Sequence, residues 1–420
     1  MSYKPNFIKR IFHSFRFNSA RIWMRFQPAT VIAITGSQGK TNLSRLLYSL
    51  IHTLGKTAAT DINLDTVYNV PITALKVKPV TKYAIFELGV DHPGEMDRYL
   101  KIVRPKIAAV TGISSVHTDE EHLGSLEKVI WEKRKLIKAL PKDGFAVLNW
   151  DDPNVRGMAR HTSANIIRYG SAKEDCDIYF NKKEIAVSKN GTALTLHTKE
   201  GSVNIVTPLI GLHHAYNIAA AYAIYRILDH KLNNDLRFSQ KVLKVKPLKS
   251  RMSLENGPLG TLMLDDSKRA NPVSTEAGLR TFDLMPHEGG RKIAVLAEMG
   301  ELADPEEEHR KIGMILAGLK IDHLVCIGPY QKFVRDTAVK FGFPEKNIFW
   351  TENILIAADH LKEIAKENDF IYLKGSHLRH LERVMLVLEG IQVGCSVVSC
   401  PFYWHCRNCP YLRSGYQNRR

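Results

Sequence analysis

The sequence contains no run of eighteen apolar residues, so nothing in it reads as a membrane-spanning helix. Its first residues, MSYKPNFIKRIFHSFRFNSARIWMRFQP, have no uninterrupted apolar segment and no small-residue cleavage site, which excludes a secretory signal. No recognisable nucleic-acid-binding module occurs, and no nucleic-acid partner is expected. Acidic residues are in the minority, 43 against 59 Lys and Arg. The resulting formal charge of +16 suits anionic partners such as nucleotides or acidic lipids. What the chain does have is length, 420 residues with 44% hydrophobic content, enough for two or three domains with cores of their own.

The most informative stretch is VIAITGSQGKT, Val31 to Thr41, followed by LSRLLYSLIHTL with helical apolar spacing. It predicts a buried strand, a phosphate-binding turn and a helix. Backbone N–H groups and the positive dipole end at a helix start favour an anion. Gly36 and Gly39 let the backbone approach phosphates, and Ser37 and Gln38 complete the turn. Lys40 supplies a cation for the terminal phosphates, and the Thr41 hydroxyl can hold Mg²⁺. Ile34 stands where the full P-loop pattern has its first glycine, so the turn is the shorter GxxGKT form.

The leader alternates Lys4, Lys9, Arg10, Arg16, Arg21 and Arg25 with Phe7, Ile8, Phe12, Phe15, Phe17, Ile22, Trp23 and Phe26. Two readings fit this spacing: an amphipathic helix on an anionic membrane surface, or a helix that packs its apolar face on the first domain and leaves its charges in water.

Beyond the loop, short apolar strands alternate with helical segments. Tyr83 to Phe86 runs into Glu87, and Ile107 to Val110 is followed by Thr111 and, further on, His117. Polar side chains at the carboxyl ends of such strands face the crevice where α/β sheets bind ligands, so Glu87 and His117 are expected to extend a Mg²⁺ shell begun by Thr41. Strands over Lys292 to Leu296, His323 to Ile327 and Phe370 to Leu373 repeat the theme and predict a second parallel α/β domain.

These motifs together resemble the Mur ligases, ATP-dependent amide-bond-forming enzymes of peptidoglycan synthesis. The resemblance covers roughly residues 29 to 390 and is carried by ITGSQGKT, Thr60 with Asn63 and Asn69 to Thr73, ELGVDHPGEM, GSLEKVIWEKRKLI, GLHHAYNIAAA, LDDSKRANPVS, AEMGEL followed by His309, and KGSHLRHLERV. It is nearest to the branch that adds D-alanyl-D-alanine to a UDP-N-acetylmuramoyl peptide.

The resemblance implies an α/β fold: a basic leader (1–28), a central P-loop-type ATP-binding domain with a parallel sheet (29–245), a smaller Rossmann-like domain (246–392) and a Cys-rich tail (393–420). It implies that the loop and Lys40 cradle the ATP phosphates and that Thr41, Glu87 and His117 organise Mg²⁺. Lys133 falls where the family carries a carbamylated lysine, although EKRK alone reads as a solvated helix face. Asn217 matches the residue that reads adenine, Arg251 a phosphate contact, and Asp266 a ribose or active-site contact. Asn271, Lys374 and Ser376 match positions on the substrate side, Lys374 receiving the carboxylate of the incoming amine. Lys40, Lys133 and His117 carry the catalytic assignment. His214 stands where many members have Asn, and Lys268 and Arg269 replace the branch's Tyr and Asn.

The implied reaction is phosphorylation of a peptide carboxylate by ATP, then attack by an amino-acid or dipeptide amine, in the cytoplasm or at the inner face of its membrane. The residues ahead of the loop are too few for an independent core, so the UDP-sugar-binding domain that such ligases usually carry there is expected to be absent. Related enzymes run the same chemistry on poly-γ-glutamate-type acceptors, and a nucleotide-binding scaffold at the membrane is a further reading. In the tail, Cys395, Cys400, Cys406 and Cys409 beside His405 suit a Zn²⁺ site. An iron–sulfur cluster, reduced thiols and disulfides are the alternatives.

Overall fold

The computed structural model describes residues 7–61, 66–229, 235–400, 402 and 404–416, with side chains from residue 11 onward. Lys4 and Asn63, both singled out in the sequence, lie outside the described residues. The chain divides into two compact units, one holding most residues up to Val245 and the other most residues from Lys246.

The first unit opens with α1 (Phe7–Trp23) and continues through β1 (Thr30–Thr35), α2 (Lys40–Ile51), β2 (Thr57–Ala59), α3 (Thr66–Lys76), β3 (Tyr83–Glu87), α4 (Glu95–Leu100), β4 (Ile107–Val110), α5 (Leu126–Lys138), β5 (Phe145–Asn149), α6 (Pro153–Arg156), β6 (Asn165–Gly170) and β7 (Ile178–Tyr179). Then come β8 (Ala186–Ser188), β9 (Gly191–His197), β10 (Ser202–Thr207), α7 (His213–Leu228) and α8 (Asp235–Val242). The main path of the sheet is β10-β9-β7-β6-β5-β4-β1-β3-β2. From β2 to β7 every pairing is parallel, and β9 and β10 extend the sheet antiparallel. Strands covered on both faces need apolar side chains at successive positions, which is why VIAIT, YAIF and IAAV lack alternation. Val31, Ala33, Ala84, Phe86, Ala108 and Val110 meet Val70, Leu136 and Ile137 of the flanking helices in one core.

Strand order, not strand direction, reverses at β1: the connections first add β2 and β3 on one side of it and then β4 on the other. Register pairs Ile34 with Glu87 on one side and Thr35 with Val110 on the other. The carboxyl ends of three strands therefore meet at one edge, the switch point at which open α/β sheets take ligands.

The second unit contains β11 (Ser253–Asn256), β12 (Leu262–Asp266), α9 (Pro272–Leu284), β13 (Lys292–Ala297), α10 (Pro305–Leu316), β14 (His323–Ile327), α11 (Gln331–Lys340), β15 (Ile348–Thr351), α12 (Ile354–Ile364), β16 (Phe370–Lys374) and α13 (Glu382–Leu388). Its strand order is β11-β12-β16-β13-β14-β15, parallel except for β11. Ile293, Val295, Val325, Ile371 and Leu373 pack on Leu361 and Val384. The tail joins this unit: Leu412 and Cys406 bury against Leu386 of α13, with Ile391 and Val393 alongside. Both parallel sheets expected from the sequence are present. Among the described residues no helix is long and apolar enough to cross a membrane.

Candidate active site

The loop after β1 needs its glycines for two reasons. Gly36 has φ +144° and Gly39 φ +81°, conformations that a Cβ disfavours. A Cβ on Gly36 would lie 2.1 Å from Thr111 Oγ1, inside any tolerable contact. The residues after β4 brace the loop: Ser37 N–H donates to Gly112 O over 2.7 Å, Ser114 N–H donates to Ser37 Oγ over 3.1 Å, and the Thr111 hydroxyl donates to Gln38 O. Asp152 holds that second segment through Ile113 N–H at 2.6 Å. Lys40 Nζ folds back to Gly36 O at 2.6 Å, so its cation sits over the loop. Gly39 begins α2 without a side-chain cap, leaving the first-turn N–H groups facing the crevice.

Thr41 Oγ1 donates to Glu87 Oε1 over 2.8 Å, joining the start of α2 to the end of β3. Both are hard oxygen donors, the chemistry Mg²⁺ requires, so this pair fits the ion that the loop implies. His117 approaches Asp91, Nε2 to Oδ1 3.2 Å, in a left-handed backbone conformation with φ +61°. A non-glycine residue in that region carries strain, which functional sites retain. Burial pushes the His117 pKa down to about 3, and the charges of Lys133 and Lys40 push the same way against Asp91. The ring is therefore neutral at physiological pH.

Lys133 is fully buried. Burial, reinforced by Lys40, lowers its pKa to about 7, while Asp91, Glu95 and Glu132 act in the opposite direction. An uncharged amine is thus accessible near neutrality. The EKRK run hid this, but α5 carried a signal. Its buried positions Val129, Glu132, Lys133, Leu136 and Ile137 follow the i, i+3, i+4, i+7, i+8 stripe of a core-facing helix, and two of them are charged. Asn217 on α7 is buried, and its Oδ1 lies 2.9 Å from where a Cβ on Gly39 would be, so its amide stands beside the phosphate loop.

In the second unit, Lys374 Nζ pairs with Asp266 Oδ2 at 2.5 Å, and Tyr372 OH donates to the same oxygen over 3.3 Å. Lys374 is buried, and burial raises the Asp266 pKa against the opposing charges of Lys374 and Arg251. Lys374 was expected to receive a substrate carboxylate. Here it is occupied by one from its own chain. Asn271 caps α9, its side chain accepting from Ser274 N–H at 2.8 Å in a reciprocal capping box. Ser376 N–H donates to Glu298 O over 3.1 Å, and Glu298 in turn binds Arg379 at 2.8 Å.

Comparison with known proteins agrees with this arrangement. The Mur ligase middle domain matches residues 34–225, and the Mur ligase glutamate ligase domain matches residues 250–377. The UDP-N-acetylmuramoyl-tripeptide–D-alanyl-D-alanine ligase of Escherichia coli strain K12 is 30% identical over 378 residues, covering 89% of this chain and 80% of the relative. The chain belongs to the Mur ligase family. It is accordingly an ATP-dependent ligase. A crystal structure of MurF from Acinetobacter baumannii superposes with TM-score 0.79 at 25% identity, covering 90% of this chain and 80% of that one. The MurF ligase of Thermotoga maritima, solved in complex with ADP, shares the fold with TM-score 0.75 at 23% identity, over 90% and 83% of the two chains.

Within this Mur ligase, the residues that reading by motif passed over are Thr111, Asp152, Asp91 and Glu95. Thr111 touches the loop, and Asp152 the segment that braces it, only through tertiary contact, which no spacing rule reveals. Asp91 and Glu95 sit inside ELGVDHPGEM. Glu95 accepts Asp91 N–H at 2.8 Å, and burial raises its pKa. All six cysteines are free thiols. Of the four in the tail, among the described residues only Cys406 joins a set of three donor atoms within 4.8 Å of one another, and its companions are His380 and Glu382. The four-thiol site expected from the sequence is not gathered that closely. Cys395 instead lies 3.7 Å from the buried Arg383 guanidinium, and its carbonyl accepts from the same group.

Proposed function

We propose that this Mur ligase phosphorylates the peptide carboxylate of a UDP-N-acetylmuramoyl tripeptide with ATP and joins it to D-alanyl-D-alanine in peptidoglycan precursor synthesis. The observation that carries the reading is Lys133, a fully buried amine among Lys40, Asp91, Glu95 and Glu132 whose pKa burial brings to about 7. A neutral amine takes up CO₂ and releases a proton, leaving a carbamate whose oxygens add to the donor set. A solvated lysine at its ordinary pKa would stay protonated. The named activity of the Escherichia coli relative supports the substrate pair.

In this account the loop N–H groups and Lys40 bind the terminal phosphates. Thr41, Glu87, His117 and carbamylated Lys133 would hold Mg²⁺, which would offset the negative charge of the transferring phosphoryl group. A carboxylate oxygen of the acceptor attacks the γ-phosphorus and ADP leaves. The amine then attacks the acyl carbonyl, phosphate departs with that oxygen, and the nitrogen loses a proton as the amide forms. Positioning supplies most of the acceleration. Asn217, Arg251 and Asp266 serve the nucleotide, and Asn271, Lys374 and Ser376 the amine side. Lys374 would do so with the N–H donors of its ammonium that Asp266 does not take, or by exchanging Asp266 for the substrate carboxylate.

Lys268 and Arg269 favour a second reading, a different carboxylate acceptor such as a poly-γ-glutamate-type chain, because they replace the branch's Tyr and Asn. A tail metal, Zn²⁺ by donor softness, is proposed on His380, Glu382 and Cys406, with metal analysis of the purified chain as its check. Contact with an anionic membrane belongs to the same account, since residues 7–26 contain five Lys and Arg and no acid. The test of function is phosphate release with each acceptor. Release that requires both the UDP-linked tripeptide and D-alanyl-D-alanine supports the proposal, and release driven equally by a γ-glutamyl acceptor favours the second reading.

A further inference from the structure

Helix α1 has two apolar faces, and among the described residues only one of them is covered. On the covered side Ala20 is buried, Phe17 packs against the core of the first unit, and Arg98 lies over the Phe17 ring at 5.1 Å. His13 meets Tyr68 of α3 at 4.6 Å between ring centroids, and Trp23 Nε1 donates to Val77 O over 2.6 Å. These contacts fix the helix on its domain. Counting about 100° per residue, Ile11, Phe15 and Ile22 fall within about 40° of one another, and Ala20 falls on the opposite side from them. Their exposures are 55%, 71% and 52%, with Phe12 at 58% beside them and Phe26 at 75% beyond the helix end.

The two readings of the leader are therefore not exclusive. One face does the packing, and the other remains as an aromatic and aliphatic ridge in water. The charged side chains around it are all cationic: Arg16, Arg21 and Arg25 are at the surface or partly so, Ser14, Asn18 and Ser19 are its uncharged polar neighbours, and neither α1 nor the turn after it contains Asp or Glu. An exposed apolar stripe of this kind marks an interaction surface, and a rim of one sign selects the sign of the partner.

We propose that this outer face of α1 docks the ligase on an anionic lipid bilayer, with Ile11, Phe12, Phe15 and Ile22 entering the interface and the arginines meeting the headgroups. A bilayer fits better than a protein groove because the ridge lies along a single convex helix and needs a flat, apolar and negatively charged counterpart. The charge of the whole chain, +16, reinforces the attraction. The proposal rests on the membrane contact in the functional reading above and gives it a face and residues, while its flotation test does not depend on the ligase chemistry or the acceptor.

Flotation of the full chain with vesicles tests it. Vesicles of phosphatidylglycerol and phosphatidylcholine should carry the protein, vesicles of phosphatidylcholine alone should carry about tenfold less, and added salt should release it. The pair Phe15→Ser and Ile22→Ser should cut binding at least tenfold with phosphate release in solution unchanged. Arg16→Gln with Arg25→Gln should cut binding to anionic vesicles only. Equal binding to neutral vesicles, no binding to either, or a second copy of the chain seated on α1 and released by the Phe15→Ser change would overturn the proposal.

Discussion

The hydroxyl of Thr41 donates to the carboxylate of Glu87 over 2.8 Å, although 46 residues separate them. The contact exists because β1 and β3 are parallel neighbours in register, so the residues that follow one strand meet the residue that ends the other. It makes the phosphate loop and the acidic strand end one unit. Thr41→Ala and Glu87→Gln are each expected to lower kcat/KM for ATP by about 100-fold and to raise the Mg²⁺ concentration needed for half activity. Thr41→Ser, which keeps the hydroxyl, should retain most activity. Steady-state kinetics across a Mg²⁺ series measures both effects.

Lys133 links stability to pH in a defined direction. Its folded pKa, about 7, lies below the ordinary 10.5, so between those values the unfolded chain binds more protons and stability rises with pH. Below pH 7 the full cost of the buried ammonium applies, about 5 kcal/mol at most by the size of the shift. Lys133→Met should therefore stabilise the protein most below pH 7, and its advantage should vanish by about pH 10.5. Denaturant unfolding of both proteins in CO₂-free buffer at several pH values checks the slope. At fixed dissolved CO₂, activity of the parent chain should also rise as pH passes through 7, and Lys133→Met should be inactive.

Gly36 tolerates no side chain. A methyl group there meets Thr111 Oγ1 in a backbone region that L residues avoid, so Gly36→Ala must displace the segment after β4. Nucleotide affinity should fall at least tenfold, and thermal stability should drop by about 2 kcal/mol. Pairing it with Thr111→Ala, which removes the clashing atom, should recover part of the affinity. Calorimetric titration with ADP reads the difference.

Asn271 separates a cap from a substrate contact. As the N-cap of α9, Asn271→Ala should cost about 1 kcal/mol of stability and Asn271→Asp close to nothing. A substrate-binding asparagine would also show a rise in KM for the amine in both variants. Unfolding midpoints and KM measured on the same pair of proteins distinguish the two roles.

Much of the fold was legible in the chain because its strands are short, apolar and punctuated by chemistry. VIAIT, YAIF and IAAV lack alternation for the reason buried parallel strands do, and the glycines at 36 and 39 announce the turn that follows. Asn-Pro at 271 and 272 with Ser274 three residues after the asparagine is a helix start, so the cap was also present in the sequence. Lys133 was less visible, because its meaning depends on which face of α5 is buried. Thr111 was visible as a strand end, but its bond to the loop was not, nor was the bond of Asp152 to Ile113 behind it, since both are made through space. Asp266 and Lys374 were noticed separately, but that they neutralise each other follows only from β12 and β16 being neighbours, which pairs Asp266 with Lys374 in register. In the tail, cysteine spacing suggested four thiols at one point, whereas the backbone brings Cys406 to His380 and Glu382.

Tracing oxygen through the reaction tests the central claim most directly. With the acceptor carboxylate labelled with ¹⁸O, ATP and D-alanyl-D-alanine, activation through an acyl phosphate transfers one labelled oxygen to the released inorganic phosphate for each amide formed. Mass spectrometry should find labelled phosphate and a tripeptide extended by D-alanyl-D-alanine in equal amounts. Amide product with unlabelled phosphate, or phosphate release with no extended peptide, would contradict the account.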